Sequence, residues 1–149
     1  MRGVSEMVRF YWNNIFILGF LLAFIGMFLP WANIVNRRMS ISTTGLDSNI
    51  GFIIIFILLG TIILFFIKSE AKGISATVGG GATFFIAGYS FFQAKQANDL
   101  IMKNSVYLTF DFGIFVVLIG SAIMTLTGIV LLRRRTRSSI NETLEESKT

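Results

Sequence analysis

Apolar positions in this chain gather into four long runs separated by polar stretches. The first runs from Ile15 to Leu29, with Tyr11 and Trp12 on one flank and Trp31 on the other. Trp12 to Trp31 covers about 29 Å of helix at ~1.5 Å per residue, close to the ~30 Å hydrocarbon thickness of a bilayer. Aromatic rings at both ends are what interfacial anchoring looks like. The second run, Ile50 to Ile67, carries no charge and is almost entirely Ile, Leu and Phe. The third extends from Gly73 to about Ala94 and the fourth from about Phe112 to Leu132. Each approaches or exceeds the ~18 residues that mark a spanning helix. The pattern predicts an all-α membrane protein, a four-transmembrane-helix bundle with helices at about 12–31, 50–67, 73–94 and 112–132. Polar segments 31–49 and 95–110 join them at one end, and 133–149 forms a tail.

The joining segments carry a different period. Ile34-Val35 and Met39-Ser40-Ile41-Ser42-Thr43 are rich in β-branched residues and partly alternate, and Asn36-Arg37-Arg38 between them can turn. A β-hairpin is expected there. An isolated hairpin is marginal in water, so it must pack on the helix ends. Gly45 ends the second strand, and Asp47, Ser48 or Asn49 caps the second helix. Segment 95–110 starts as a polar extension of the third helix and turns at Lys103-Asn104-Ser105. It ends in Val106-Tyr107-Leu108-Thr109-Phe110, which has strand composition. Pairing with the hairpin would make a three-stranded sheet.

Charge sets the expected orientation. Arg2, Arg9, Lys68, Lys72, Arg133, Arg134, Arg135, Arg137 and Lys148 lie on one side, nine in all. Arg37, Arg38, Lys95 and Lys103 lie on the other, which makes four. Basic residues favour the cytoplasmic side. Both termini are therefore expected in the cytoplasm and the sheet outside, in a multi-pass plasma-membrane protein. The first run has a basic start, but Phe28-Leu29-Pro30-Trp31 offers no small-x-small cleavage site, so it reads as a retained helix. Arg133, Arg134, Arg135 and Arg137 follow the last span directly, as a stop-transfer signal and a contact for anionic lipid headgroups. Beyond them Ser139-Ile140-Asn141-Glu142 matches a capping box, in a stretch too short for a stable free helix. This basic then acidic tail is expected to be disordered. The positive charge sits beside the membrane, so no nucleic-acid partner is expected.

Small residues mark the faces that pack. On the third helix Gly73, Ala76, Gly80, Thr83, Ala87, Ser90 and Ala94 are spaced 3, 4, 3, 4, 3, 4. Lipid tails are as apolar as Leu, so helices in a bilayer associate through close backbone approach, which small residues allow. The first helix offers Gly19, Ala23 and Gly26. The fourth offers Gly113, Gly120 and Thr127, with Gly128 adjacent. These seams either build the chain's own bundle, or in part pair it with another subunit or line a path. The second helix has only Gly60 and Thr61 and is expected to be the most lipid-exposed.

Candidate chemistry is sparse. The chain has no Cys and no His. That excludes Cys/His metal sites, nucleophiles paired with His, and disulfides. No Asp, Glu, Lys or Arg lies within a span, although such charges usually mark proton relays and ion sites. Gly79-Gly80-Gly81 lacks the Lys-Ser/Thr ending of a phosphate loop. Asp111 is placed to cap the fourth helix. Thr77, Thr83, Ser90, Ser121, Thr125 and Thr127 are candidate lining for a path, or bond to their own helix backbone. No enzyme and no cofactor is expected.

Leu29-Pro30-Trp31 at the end of the first span and Gly45-Leu46-Asp47 before the second carry a resemblance. With Gly113 and Gly120 they look like the pattern of small, uncharacterised prokaryotic four-helix membrane proteins. Trp31 and Gly45-Leu46 also resemble the Trp and Gly-Leu of the claudin first loop, although Asp47 stands where claudins have a second Trp and the paired loop cysteines are missing. The resemblance implies a claudin-like topology and contacts through the outer sheet. The expected function is that of a non-enzymatic membrane protein acting through protein–protein contacts. It would serve as a membrane-organising protein or an accessory subunit, with self-association or other membrane subunits as partners besides the lipid bilayer. A homo-oligomeric channel or permeation pore is the alternative.

Overall fold

The computed structural model describes residues 2–36, 39–67, 71–101 and 106–146. Its elements are α1 (Arg2–Gly26), β1 (Pro30–Asn36), β2 (Met39–Thr44), a 3-10 turn (Gly45–Asp47), α2 (Asn49–Ile67), α3 (Lys72–Ile101), β3 (Val106–Phe110) and α4 (Phe112–Glu146). The chain is therefore mostly helical, with one small sheet. Arg37, Arg38 and the turn Lys103-Asn104-Ser105 lie outside the described residues.

The helix boundaries differ from expectation at three places, the first being that α1 begins at Arg2 rather than about residue 12. α1 stops at Gly26 rather than running to Trp31. The N–H groups of Met27 and Phe28 turn back to the carbonyls of Phe24 and Ile25 at 3.1 and 3.0 Å. Pro30, which cannot donate a backbone hydrogen bond, then opens β1. At the other end α4 continues to Glu146, so the tail expected to be disordered is helical over 133–146. A free segment of that length would bear the cost of helix nucleation, whereas one that extends an existing helix does not. No Gly or Pro interrupts α4 after Gly128.

β1 is the central strand of a sheet ordered β2-β1-β3, antiparallel on both sides. Ile34 stands opposite Ile41 on one side and Leu108 on the other. Pro30 pairs with Thr44 and Ala32 with Thr43, which leaves Trp31 as an extra residue in β1. Such a bulge redirects the side chain it carries. The sheet is tied to the bundle at Asp111. Its N–H donates to the Trp31 carbonyl at 3.0 Å, and its carboxylate accepts from Asn33 Nδ2 at 2.9 Å and from the Phe112 N–H at 2.8 Å.

The helices alternate in direction. α4 lies between α1 and α3, and α2 packs on α3 and more lightly on α1. The buried core runs through the middle of this bundle, from the stacked rings of Phe16 and Phe65, 3.8 Å between centroids, to Met27 and Ile54 below the sheet. Two helices are long and apolar enough to cross a membrane, Asn49–Ile67 and Phe112–Thr136. α1 contributes a shorter apolar stretch, Tyr11–Gly26. The mean hydropathy of α3 is lowered by the Gly, Ser and Thr residues of its own seam.

Candidate functional site

The residues that resembled a loop signature meet in one junction at the sheet end. Trp31, expected as an interfacial anchor, is instead only 7% exposed. Its Nε1 donates to the Gly26 carbonyl at 2.9 Å, so the indole closes the open end of α1. Gly45 lies flat against that ring. A Cβ there would stand 2.7 Å from Trp31 Cε2 and Cζ2. The Gly45 carbonyl accepts the Ser48 hydroxyl at 2.9 Å, and its other side rests on Gly51, where any Cβ would collide with it. Leu46 is half-buried and Pro30 carries the strand away.

Asp47 and Ser48 divide the capping work. Thr44 donates its N–H and its hydroxyl to Asp47 Oδ2 at 2.7 and 2.9 Å, and these bonds hold the Asp47 carboxyl below its ordinary pKa. Ser48 caps α2, accepting the Gly51 N–H on its hydroxyl at 3.0 Å.

Most of the seam residues are consumed inside the bundle. On α1, a Cβ at Gly19 would stand 2.9 Å from the Gly120 carbonyl, and one at Gly26 would stand 2.8 Å from Val117 N. Ala23 is fully buried, and Gly120 approaches its backbone closely. Gly113 faces the Leu29 carbonyl at 2.8 Å by the same measure. On α3, Gly73 faces Leu132 and Gly80 faces Thr125, while Ala76, Thr83 and Ala87 are fully buried. Two contacts were not anticipated: Gly79 receives Thr61 of α2, and Gly128 receives Thr77 of α3. Each glycine lies next to a member of the spaced series, Gly80 on α3 and Thr127 on α4, but outside the spacing itself.

Ser90 and Ala94, the last two members of the α3 seam, reach a cavity of about 400 Å³. Its walls are Trp31, Ala32, Ile50, Phe110 and Ile114, with Thr43, Thr44, Asp47, Ser48 and Gln93 around them. The lining is largely apolar with neutral hydrogen-bonding groups. Its one carboxylate, Asp47, is engaged by Thr44. The cavity forms because small residues continue on α3 after α4 has given way to β3.

Hydroxyls in the helices mostly bond to their own backbone. Thr61, Thr77, Ser90, Thr125 and Thr127 donate to the carbonyl four residues before, at 2.7–2.8 Å, and Ser121 donates to Leu118 at 3.0 Å. Thr83 Oγ1 and Asn13 Oδ1 are buried with no hydrogen-bond partner among the described residues. No group of three His, Cys, Asp or Glu side chains that could hold a metal comes together among them.

At the opposite end, Arg133, Arg134 and Arg135 are exposed on α4. The Arg134 guanidinium lies 5.5 Å over the Trp12 ring, and Lys72 Nζ lies 5.3 Å over Phe65. Arg137 falls on the same helix, but its side chain lies outside the described residues. No family model matches this chain, and no curated protein matches its sequence.

Proposed function

We propose that this chain is a multi-pass plasma-membrane protein in which all four helices span the bilayer with both termini cytoplasmic. Large apolar side chains exposed on every helix support four spans. They include Leu18, Leu21 and Ile25 on α1, Phe56 and Phe66 on α2, Val78 and Phe85 on α3, and Ile119 and Leu126 on α4. A surface of that kind suits lipid and not water. The up-down order places the sheet at one end and Lys72 with the α4 arginines at the other, the arrangement expected of a claudin-like protein with its basic end inside.

The protein acts without catalysis, through contacts of its outer sheet with other membrane subunits or further copies. It works as a membrane-organising protein or as an accessory subunit. The observation that carries this reading is the sheet itself. β2 and β3 each leave one edge without a partner strand among the described residues, and β2 presents Ile41, 55% exposed, between exposed Ser40 and Ser42. Unpaired edge strands are templates for pairing with another chain. The channel reading draws less support. The bundle interior is filled at the glycine seams, and the candidate lining hydroxyls other than Thr83 donate to their own helices.

Native mass spectrometry after extraction in a mild detergent or lipid disc tests the proposal. Co-extracted subunits, or a homo-oligomer that falls apart when Ile41→Lys charges the β2 edge, is the expected result. A monomer, or an oligomer that conducts ions in liposomes and ignores Ile41→Lys, would overturn it.

A further inference from the structure

At the end of the bundle away from the sheet, an open surface cavity of about 560 Å³ is lined by Val130, Arg133, Arg134 and Thr136 of α4, the last three exposed. Among the described residues no carboxylate lines it. The Thr136 hydroxyl is turned to the Leu132 carbonyl at 3.2 Å, so the guanidinium groups dominate its polar character. Arg134 is held over Trp12 of α1. An aromatic ring orients a guanidinium through its face without cancelling its charge, and the N–H fork at its edge stays available for a second partner. A carboxylate in the same place would have neutralised it. The same device recurs nearby, with Lys72 over Phe65.

We propose that this cavity binds the phosphate of an anionic phospholipid headgroup, with Arg133 and Arg134 on the phosphate oxygens and Val130 against the first methylenes of an acyl chain. Arg133 and Arg134 line the same opening where α4 leaves its apolar stretch, and the membrane reading sets headgroup phosphates at that level. The pairing of an apolar wall with a cationic one suits a lipid rather than a free ion. The inference rests on the membrane reading above, and it adds a defined site to what would otherwise be diffuse attraction by a basic cluster.

The test uses the full chain in a neutral maltoside micelle, titrated with dihexanoyl phosphatidylglycerol, dihexanoyl phosphatidylcholine and inorganic phosphate, with bound ligand counted by native mass spectrometry and helix content followed by circular dichroism. Phosphatidylglycerol should bind more tightly than phosphatidylcholine. Arg133→Gln and Arg134→Gln should each weaken it about fivefold, the weight of one basic residue at an anionic surface. Lys95→Gln, at the sheet end, should leave it unchanged. Trp12→Leu removes no charge, yet it should weaken binding about two- to fivefold by releasing Arg134. Equal binding of the two lipids by folded protein, a normal affinity in Trp12→Leu, or displacement of the lipid by equimolar inorganic phosphate would each overturn the site. The membrane reading fails separately, if alkaline washing releases the chain from cell membranes.

Discussion

Gly80 and Gly81 are neighbours in sequence and opposites in surroundings. A Cβ on Gly80 would stand 2.8 Å from the Thr125 backbone nitrogen of α4, whereas one on Gly81 would meet nothing within 4 Å. The same division runs through the molecule. Gly19, Gly26, Gly45, Gly51, Gly73, Gly79, Gly113, Gly120 and Gly128 are likewise pressed against another element, while Gly60 and Gly88 are open. Absence of a side chain is structural in the first group and incidental in the second. What separates them is which face of a helix they occupy and whether that face meets another backbone.

The largest effect is expected from removing the wall against which a glycine rests rather than from filling the space. Trp31→Ala should cost about 3–5 kcal/mol, the usual loss for a buried large aromatic, and it also frees the Gly26 carbonyl. The same change should make Gly45→Ala harmless, because the ring is the first thing its methyl group would meet. Denaturant titration of the two single variants and the double variant measures this. Additive costs would show that Gly45 answers to something other than Trp31. Next comes Gly51→Ala. Its methyl would land on the Gly45 carbonyl, and backbone cannot yield as a side-chain tip can. A cost near 3 kcal/mol is expected, the upper part of the overpacking range. A neutral result in the same titration would mean that the 3-10 turn shifts freely.

How much of this was legible in the sequence depends on which link one asks about. The helices, the hairpin and the third strand followed from period and composition, because a run of apolar residues and a β-branched alternation have few other solutions. Along the regular spacing from Gly73 to Ala94, Gly73, Ala76, Gly80, Thr83 and Ala87 lie buried in the bundle, whereas Ser90 and Ala94 face the cavity, and spacing alone does not name the partner helix. Gly51 went unnoticed because a single glycine two residues into an apolar helix has no pattern. Trp31 lies buried rather than at an interface for a clear reason. A Trp after a hydrophobic run is the usual mark of a membrane interface, and only the bulge created by the pairing of Pro30 with Thr44 and Ala32 with Thr43 turns it inward. The cavity beneath the sheet and the cation over Trp12 depend on residues far apart in sequence, which no local pattern joins.

Smaller effects sharpen the contrast between adjacent glycines. Gly80→Ala should destabilise by about 1–2 kcal/mol, since the α3 and α4 backbones must separate to admit a methyl group. Gly81→Ala should instead stabilise by about 0.5–1 kcal/mol, because an open helical glycine bears only the entropic cost of its freedom. Unfolding midpoints in mixed micelles compare the pair directly. Equal effects of the same sign would end the distinction drawn between the two faces.

The smallest expected effect is a pH dependence at the turn. Thr44 donates two hydrogen bonds to Asp47, which favour the ionised carboxylate and lower its pKa in the folded chain. A group whose folded pKa lies below its unfolded value stabilises the fold above the unfolded pKa, and this contribution fades as pH falls through the folded one. Asp47 is solvent-exposed, so the contribution is small and is lost only below about pH 4. Asp47→Asn keeps an acceptor for Thr44 but removes the charge. At pH 7 the wild-type chain should therefore melt slightly higher than this variant, and the gap should close as pH is lowered toward 3. Other carboxylates titrate in the same range, but they act equally on both chains and cancel in the difference. A gap that stays constant down to pH 3 would show that the carboxylate charge contributes nothing at this turn, and that the bonds from Thr44 are worth no more to Asp than to Asn.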